Sequence, residues 1–145
     1  MIDQIESNDL SLTTGAKVFL KESASWTKFI SIVGFVFLGL IVIVALFAGS
    51  FLSAAMESSG MAMMGGAFLT VLYLAMAALY FFPIYYLFQF SAKMKAAIRE
   101  QSSELLEQAF KNLKSHYKFM GILLIIVLGF YALALIFGGL AASMM

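Results

Sequence analysis

The chain contains no cysteine and only one histidine, and these two absences remove most of the common site chemistries. Without cysteine there is no disulfide, no thiolate nucleophile and no cysteine metal site. The single histidine, His116, has no second histidine beside it, so we expect it to be solvated or interfacial and not a metal ligand. No Ser, His and Asp set, no glycine-rich phosphate loop and no paired carboxylates are identifiable. We therefore predict a protein that is not an enzyme and binds no cofactor or metal.

Charge is also scarce: charged residues make up 12% of the 145 residues and hydrophobic residues 63%, with a mean hydropathy of +0.98. A soluble domain of this size would expose large apolar patches, so the composition predicts a protein embedded in lipid. The net charge of +1 gives no reason to expect a nucleic-acid partner. The first 28 residues hold Asp3, Glu6 and Asp9 and lack a basic n-region, so no cleaved signal peptide is expected.

Three uncharged stretches, 29–52, 61–90 and 119–145, each exceed the roughly 20 residues that cross about 30 Å of hydrocarbon. Lipid offers no hydrogen bonds to the backbone, so continuously apolar stretches of this length favour helices. We predict one all-α membrane domain over residues 1–145. Its expected parts are a polar tail (1–11), an amphipathic helix (12–28), three spans (30–51, 67–88 and 119–140) and a connecting hairpin (89–118).

Every basic residue lies either before the first span or between the second and third. The positive-inside rule therefore predicts a cytoplasmic N-terminus, an outer C-terminus and insertion in the cytoplasmic membrane, with Glu57 as the one charge in the outer loop. Most of the basic side chains are candidate contacts for anionic headgroups of the inner leaflet. These candidates are Lys17, Lys21, Lys28, Lys93, Lys95, Arg99, Lys114 and Lys118.

The segments on the predicted cytoplasmic side have helical patterns. Residues 12–28 place Leu12, Leu20 and Trp26 on one stripe, which predicts a helix lying on the inner leaflet. Residues 91–118 contain no glycine or proline, and Ser103 is the expected N-cap of their second helix. We expect a hairpin that projects from the membrane, the alternative being one that lies flat. Steps of four and three residues mark a candidate partner or packing seam at Leu106, Phe110, Leu113 and Tyr117, continuing to Tyr131.

A dense aromatic cluster surrounds the only proline. Phe82, Pro83, Tyr85 and Tyr86 are a candidate hinge or gate, because proline removes a backbone donor and kinks a helix. The alternative is an interfacial aromatic belt that tolerates the proline.

Small residues recur at four-residue spacing in all three spans, a pattern that lets helices approach closely. The pattern fits packing within the chain and self-association equally, and both interpretations stay open. The residues are Ala45 and Gly49, Gly66 and Thr70, and Ala134, Gly138 and Ala142.

The run FFPIYYLFQFSAKMKAAI (81–98), with ESASWTKFISIVGFVFLGL (22–40) before it, resembles a bacterial family of small three-span membrane proteins, found mainly in the Bacteroidota and of unknown function. The resemblance extends from about Ala16 to Phe137. It implies the three-span topology and brings no activity, substrate or catalytic residue.

These observations lead to two hypotheses. The first is a non-enzymatic membrane protein that acts by helix association, as a homo-oligomer or as an accessory or scaffold subunit, with the lipid bilayer and other membrane proteins as its partners. The second is an oligomeric pore for small solutes with a hydrophobic gate at the proline and its aromatic neighbours.

Overall fold

The computed structural model describes residues 11–55 and 62–143, with side chains described over 11–55 and 65–140. It contains three helices, α1 (Thr14–Ala55), α2 (Ala62–Glu100) and α3 (Ser103–Ser143). Each is long and apolar enough to cross a membrane, which confirms the all-α class and the three apolar helices. Residues 1–10 of the predicted tail and the outer-loop charge Glu57 lie outside the described residues.

The helices are longer than a bilayer requires. They contain 42, 39 and 41 residues, so each is about 60 Å long, twice the roughly 30 Å of a hydrocarbon layer. α1 begins after Thr13, whose Oγ1 accepts a hydrogen bond from the Ala16 amide at 3.2 Å. It then runs without a break to Ala55. The sequence predicted two elements here, an amphipathic helix over 12–28 and a span over 30–51. The position of the amphipathic segment on a membrane surface stays a prediction.

A tight turn joins α2 to α3. Gln101 has a φ of 51°, the left-handed conformation that ends a helix, and the Ser102 amide donates to the Ala97 carbonyl at 3.1 Å. The Ser102 hydroxyl then accepts from the Leu105 amide at 3.3 Å, which makes Ser102 the N-cap of α3. The cap is therefore one residue earlier than the Ser103 expected from the sequence.

α2 lies between the other two helices and packs against both. Among the described residues, no Cα of α1 comes within 8 Å of a Cα of α3. Beside the α2–α3 turn the three helices pack together. We call this region, residues 14–28, 89–100 and 103–118, the hairpin-end bundle. Its buried core consists of Ala24, Phe90, Met94 and Ala109, with Leu20, Ile98, Leu106 and Leu113 packed around them.

At the opposite end of the molecule, which we call the crossing end, α1 and α2 approach so closely that neither Gly49 nor Gly66 has room for a side chain. A Cβ on Gly49 would lie 2.9 Å from the carbonyl oxygen of Gly66. The Thr70 hydroxyl lies 3.2 Å from the Ala45 carbonyl oxygen of α1 and 3.0 Å from the Gly66 carbonyl oxygen of its own helix. For these four small residues, the interpretation as packing within the chain is the right one.

α3 has a different environment at this end. Ala109 is its one fully buried residue between 103 and 140, and every residue from 124 to 139 is exposed. We call residues 124–139 the exposed segment of α3. A Cβ on Gly129 or Gly138 would meet no atom of the described structure within 4 Å. Among the described residues, Ala134 and Gly138 of the predicted small-residue pattern are thus not packed against another helix.

Candidate functional site

The hairpin-end bundle contains a buried polar link between α1 and α2. The Ser91 hydroxyl, fully buried, donates to the carbonyl oxygen of Ala24 at 2.6 Å. Small side chains make this approach possible, because Ala24 and Ala109 leave room for the larger Met94, which is also fully buried. The hydroxyl is satisfied by a backbone acceptor, as a buried polar group should be, and its role here is to join the helices.

A second polar link joins α3 to α2 at the proline. Nδ1 of His116 lies 2.9 Å from the carbonyl oxygen of Pro83. A carbonyl oxygen only accepts, so Nδ1 must carry the hydrogen and donate it. His116 is half-buried, and its ring meets that of Tyr117 edge-on at 5.5 Å. The expectation of a merely solvated or interfacial histidine therefore missed an interhelical contact.

The aromatic cluster is shared by the three helices. Phe35 of α1 has its ring centroid 5.9 Å from that of Phe81 and 6.0 Å from that of Phe88, both on α2. Phe82 lies 6.3 Å from Phe119 of α3. These rings pack around the level of Pro83 and fix the distance between neighbouring helices.

The four candidate gate residues have different surroundings. Pro83 is buried, Tyr86 is half-buried, and Phe82 and Tyr85 are exposed. Tyr85 stacks on Phe81, with ring centroids 5.9 Å apart. α2 continues as one helix on both sides of Pro83, and a hinge or gate at this point stays a prediction.

The predicted seam on α3 divides into two faces. Leu106 and Leu113 pack against the core of the hairpin-end bundle. Phe110 and Tyr117, which alternate with them along the chain, are exposed. One half of the seam is therefore packed within the chain, and the other half is exposed.

The predicted basic contacts are spread over all three helices of the hairpin-end bundle. Most are exposed, Lys93 and Lys95 are half-buried, and Arg99 forms an exposed ion pair with Glu100 at 2.8 Å. Lys17 and Lys28 are separated by 11 residues of α1, or about 16 Å along the helix. Contact of the whole set with headgroups stays a prediction, since an upright α1 would hold these two lysines at different depths.

Two open cavities accompany these features. A cleft of about 430 Å³ at the α2–α3 turn is lined by polar groups that include Lys17, Gln101 and Ser102 over an apolar floor. An apolar groove of about 400 Å³ runs between α1 and α2, with Leu38 and Ala77 among its lining residues. Over the part of the chain that the structure describes, no group of three or more His, Cys, Asp or Glu residues comes together to hold a metal ion.

Sequence reasoning missed Ser91 and His116, although a signal for the second was present. His116 continues the steps of three and four through Leu106, Ala109 and Leu113, the inward face of α3. This periodicity alone would have placed it on the same face as those three residues. Ser91 gave a weaker signal, a single hydroxyl between the large side chains of Phe90 and Met94.

Comparison with known proteins gives one finding. No curated protein and no solved structure matches this chain. A family described as Family of unknown function (DUF5362) matches residues 49–139, which take in the end of α1, all of α2 and most of α3. Since the match covers more than half of the chain, the protein belongs to the DUF5362 family.

Proposed function

We propose that the protein is a non-enzymatic membrane protein that acts by helix association, as a homo-oligomer or as an accessory or scaffold subunit of a membrane complex. The observation that carries this proposal is the division of α3 into a supported and an exposed part. Its first half is packed into the hairpin-end bundle, whereas residues 124–139 are exposed on all sides. A helix fixed at one end and exposed along the rest offers a surface for another membrane helix.

We further propose that the protein lies in a bacterial cytoplasmic membrane with its hairpin-end bundle in the cytoplasm. All the basic residues lie at the hairpin end, on the segments 14–28, 89–100 and 103–118. Helices about 60 Å long would leave about 30 Å outside the hydrocarbon, which is room for this bundle to project.

The topology can be tested directly because the natural chain has no cysteine. We expect Lys95→Cys to react with a membrane-impermeant maleimide only after the cytoplasmic membrane is opened. Ala55→Cys, at the exposed end of α1 beyond the predicted first span, should react in spheroplasts, whose outer membrane has been removed and whose cytoplasmic membrane is intact. The reverse labelling pattern would overturn the proposed orientation.

Association is tested by native mass measurement of the full chain in mild detergent and in lipid nanodiscs, with identification of co-purified proteins. We expect a dimer or larger homo-oligomer, or a stoichiometric second membrane protein. A monomer without any co-purifying protein in both environments would contradict the proposed function.

The second candidate function is an oligomeric pore with a hydrophobic gate. The observation that favours it is the ring cluster of Phe35, Phe81 and Phe88 at the level of Pro83. Flux of small solutes into liposomes tests it, with the wild-type chain compared with Pro83→Ala. A gate predicts flux above background that changes in the variant, and background flux in both would remove this candidate.

A further inference from the structure

The exposed face of α3 carries large side chains at a constant spacing. Phe110, Tyr117, Leu124 and Tyr131 follow one another at intervals of seven residues, and their side chains are 44%, 66%, 58% and 66% exposed. We call these four residues the outward stripe because each is exposed, although Tyr131 lies five turns beyond Leu113 on the same side of α3 and is exposed because α2 does not cover that end of the helix. It begins in the hairpin-end bundle and continues into the exposed segment of α3, so it passes from one half of the molecule to the other.

Lipid accounts for only part of this stripe. Lys118 is the last charged residue before the apolar stretch of α3, and Phe110 precedes it by eight residues, or about 12 Å. The headgroup layer on each side of a bilayer is only about 5–7 Å thick. In an upright protein Leu124 and Tyr131 would face acyl chains, whereas Phe110 would lie in water.

We propose that the outward stripe binds the same stripe of a second copy, forming a parallel dimer whose two-fold axis is normal to the membrane. This inference rests on the proposed function and names its partner. A seven-residue repeat is the spacing at which two helices supercoil with one face in continuous contact. Two copies inserted in the same orientation are necessarily parallel, so each stripe residue meets its own counterpart near the axis.

The size of the stripe fits a stable contact. A large aromatic side chain has about 150–250 Å² of surface, so four half-exposed side chains in each of two copies would bury on the order of 900 Å². Flanking atoms would bring the total into the range of specific interfaces, about 1,200–2,000 Å². Gly121 and Gly138, with no atom near their Cβ positions, let the helices approach closely. Lys114 lies beside the stripe, and its stem can pack there while its ammonium stays in water.

α1 presents the rival surface. Phe19 and Trp26 are 70% and 62% exposed and are also seven residues apart. The next position in that series, Val33, is half-buried, so the series ends where α1 packs against α2. The outward stripe of α3 is exposed at all four positions, and for this reason it is the better candidate for the contact.

Single cysteines introduced into the cysteine-free chain test the stripe. Phe110→Cys, Tyr117→Cys, Leu124→Cys and Tyr131→Cys are each reconstituted at a high lipid-to-protein ratio and treated with a mild oxidant. The matched controls are Ile122→Cys and Leu133→Cys, which are exposed on the far side of α3, and Phe19→Cys on α1. A disulfide requires Cα atoms within about 7 Å, so the stripe cysteines should give roughly fivefold more covalent dimer than any control. Equal yields at all positions, a higher yield at Phe19→Cys, or no dimer would overturn the proposal.

A pair of alanine variants tests the same contact without crosslinking. Phe110→Ala should lower the dimer association constant by about tenfold, the loss expected for a side chain that contributes about 1.4 kcal/mol to association, and so reduce the dimer fraction in nanodiscs. Phe19→Ala should leave the dimer fraction unchanged, and matching unfolding midpoints would show that both variants fold. Equal dimer fractions in the two variants would overturn the assignment to α3.

The native mass measurement distinguishes failure of the outward stripe from failure of the proposed function. An oligomer whose stripe cysteines do not crosslink overturns the stripe and supports the proposed function. A monomer bound to a different membrane protein likewise overturns the stripe and supports the proposed function. A monomer without any partner overturns both.

Discussion

The two ends of the molecule hold their helices together in different ways. At the hairpin end three helices share a core, and hydrogen bonds at Ser91 and His116 join α2 to its neighbours. At the crossing end α1 and α2 meet through Gly49 and Gly66, while α3 is exposed. The difference indicates that the position of α3 is determined at the hairpin end alone, whereas α1 and α2 are fixed to each other at both ends.

The largest effect is expected in the core of the hairpin-end bundle. Met94→Ala should lower the free energy of unfolding by about 2–4 kcal/mol, because it removes a fully buried side chain and leaves a cavity among three helices. Unfolding in mixed detergent micelles measures this change. Met76→Ala, at an exposed position of the same helix, is the control and should have little effect. Similar losses in both variants would mean that the core contributes no special stability.

The next effect is expected at the crossing end. Gly66→Ala should cost about 1–3 kcal/mol, because the new Cβ would overlap the Gly49 carbonyl and the Ser53 hydroxyl. The same unfolding measurement applies, with Gly129→Ala as the control, since that Cβ would meet nothing within 4 Å. If Gly66→Ala is as stable as the control, α1 and α2 are not in close contact at this end.

A smaller effect should follow loss of the buried hydroxyl at the hairpin end. Ser91→Ala removes the bond to the Ala24 carbonyl and should cost about 0.5–1.5 kcal/mol. Ser50→Ala removes an exposed hydroxyl that bonds only within its own helix, to Leu46, and serves as the comparison. An unchanged midpoint for Ser91→Ala would show that this link adds nothing to the association of α1 and α2.

The smallest change in stability, and the most specific change in geometry, is expected at His116. His116→Leu should lower the unfolding free energy by less than about 1 kcal/mol, since it removes one partly exposed hydrogen bond to Pro83. It should also broaden the distance distribution between spin labels placed at Tyr73 and Leu133, because α3 would lose a contact that sets its angle to α2. Ser115→Ala, which removes a bond within α3, should leave the distribution unchanged. A distribution as narrow as that of the wild type would contradict this role.

Hydropathy predicted the three apolar helices because a helix in lipid must satisfy its own backbone and avoid charge, and both requirements are visible in sequence. The continuity of α1 was also accessible, since no glycine or proline lies between Gly15 and Gly34. The division of the α3 seam into a packed and an exposed half could not be predicted from the sequence. Spacing identifies residues that share a face, such as Phe110 and Leu113, but a chain that packs in two directions divides that face according to where its neighbours lie.

For the small residues, sequence-based prediction was limited for a different reason. Ala45, Gly49 and Gly138 carry the same local signal, and only the first two have a helix of the same chain against them. The identity of the contacting helix depends on topology, which four-residue spacing does not encode. For the same reason the contact between His116 and Pro83 could not be predicted from the sequence, although the inward position of the histidine could.

The length of the helices has a mechanical consequence. α1 and α2 are packed together at both ends and therefore tilt as one rod about 60 Å long, twice the thickness of a hydrocarbon layer. A tilt of about 20°, ordinary for membrane helices, carries a point 30 Å from the hydrocarbon sideways by about 10 Å. Thinning or thickening of the bilayer changes such tilts, so in a chain inserted as proposed this rod would convert a small change in membrane thickness into a displacement of the α2–α3 turn.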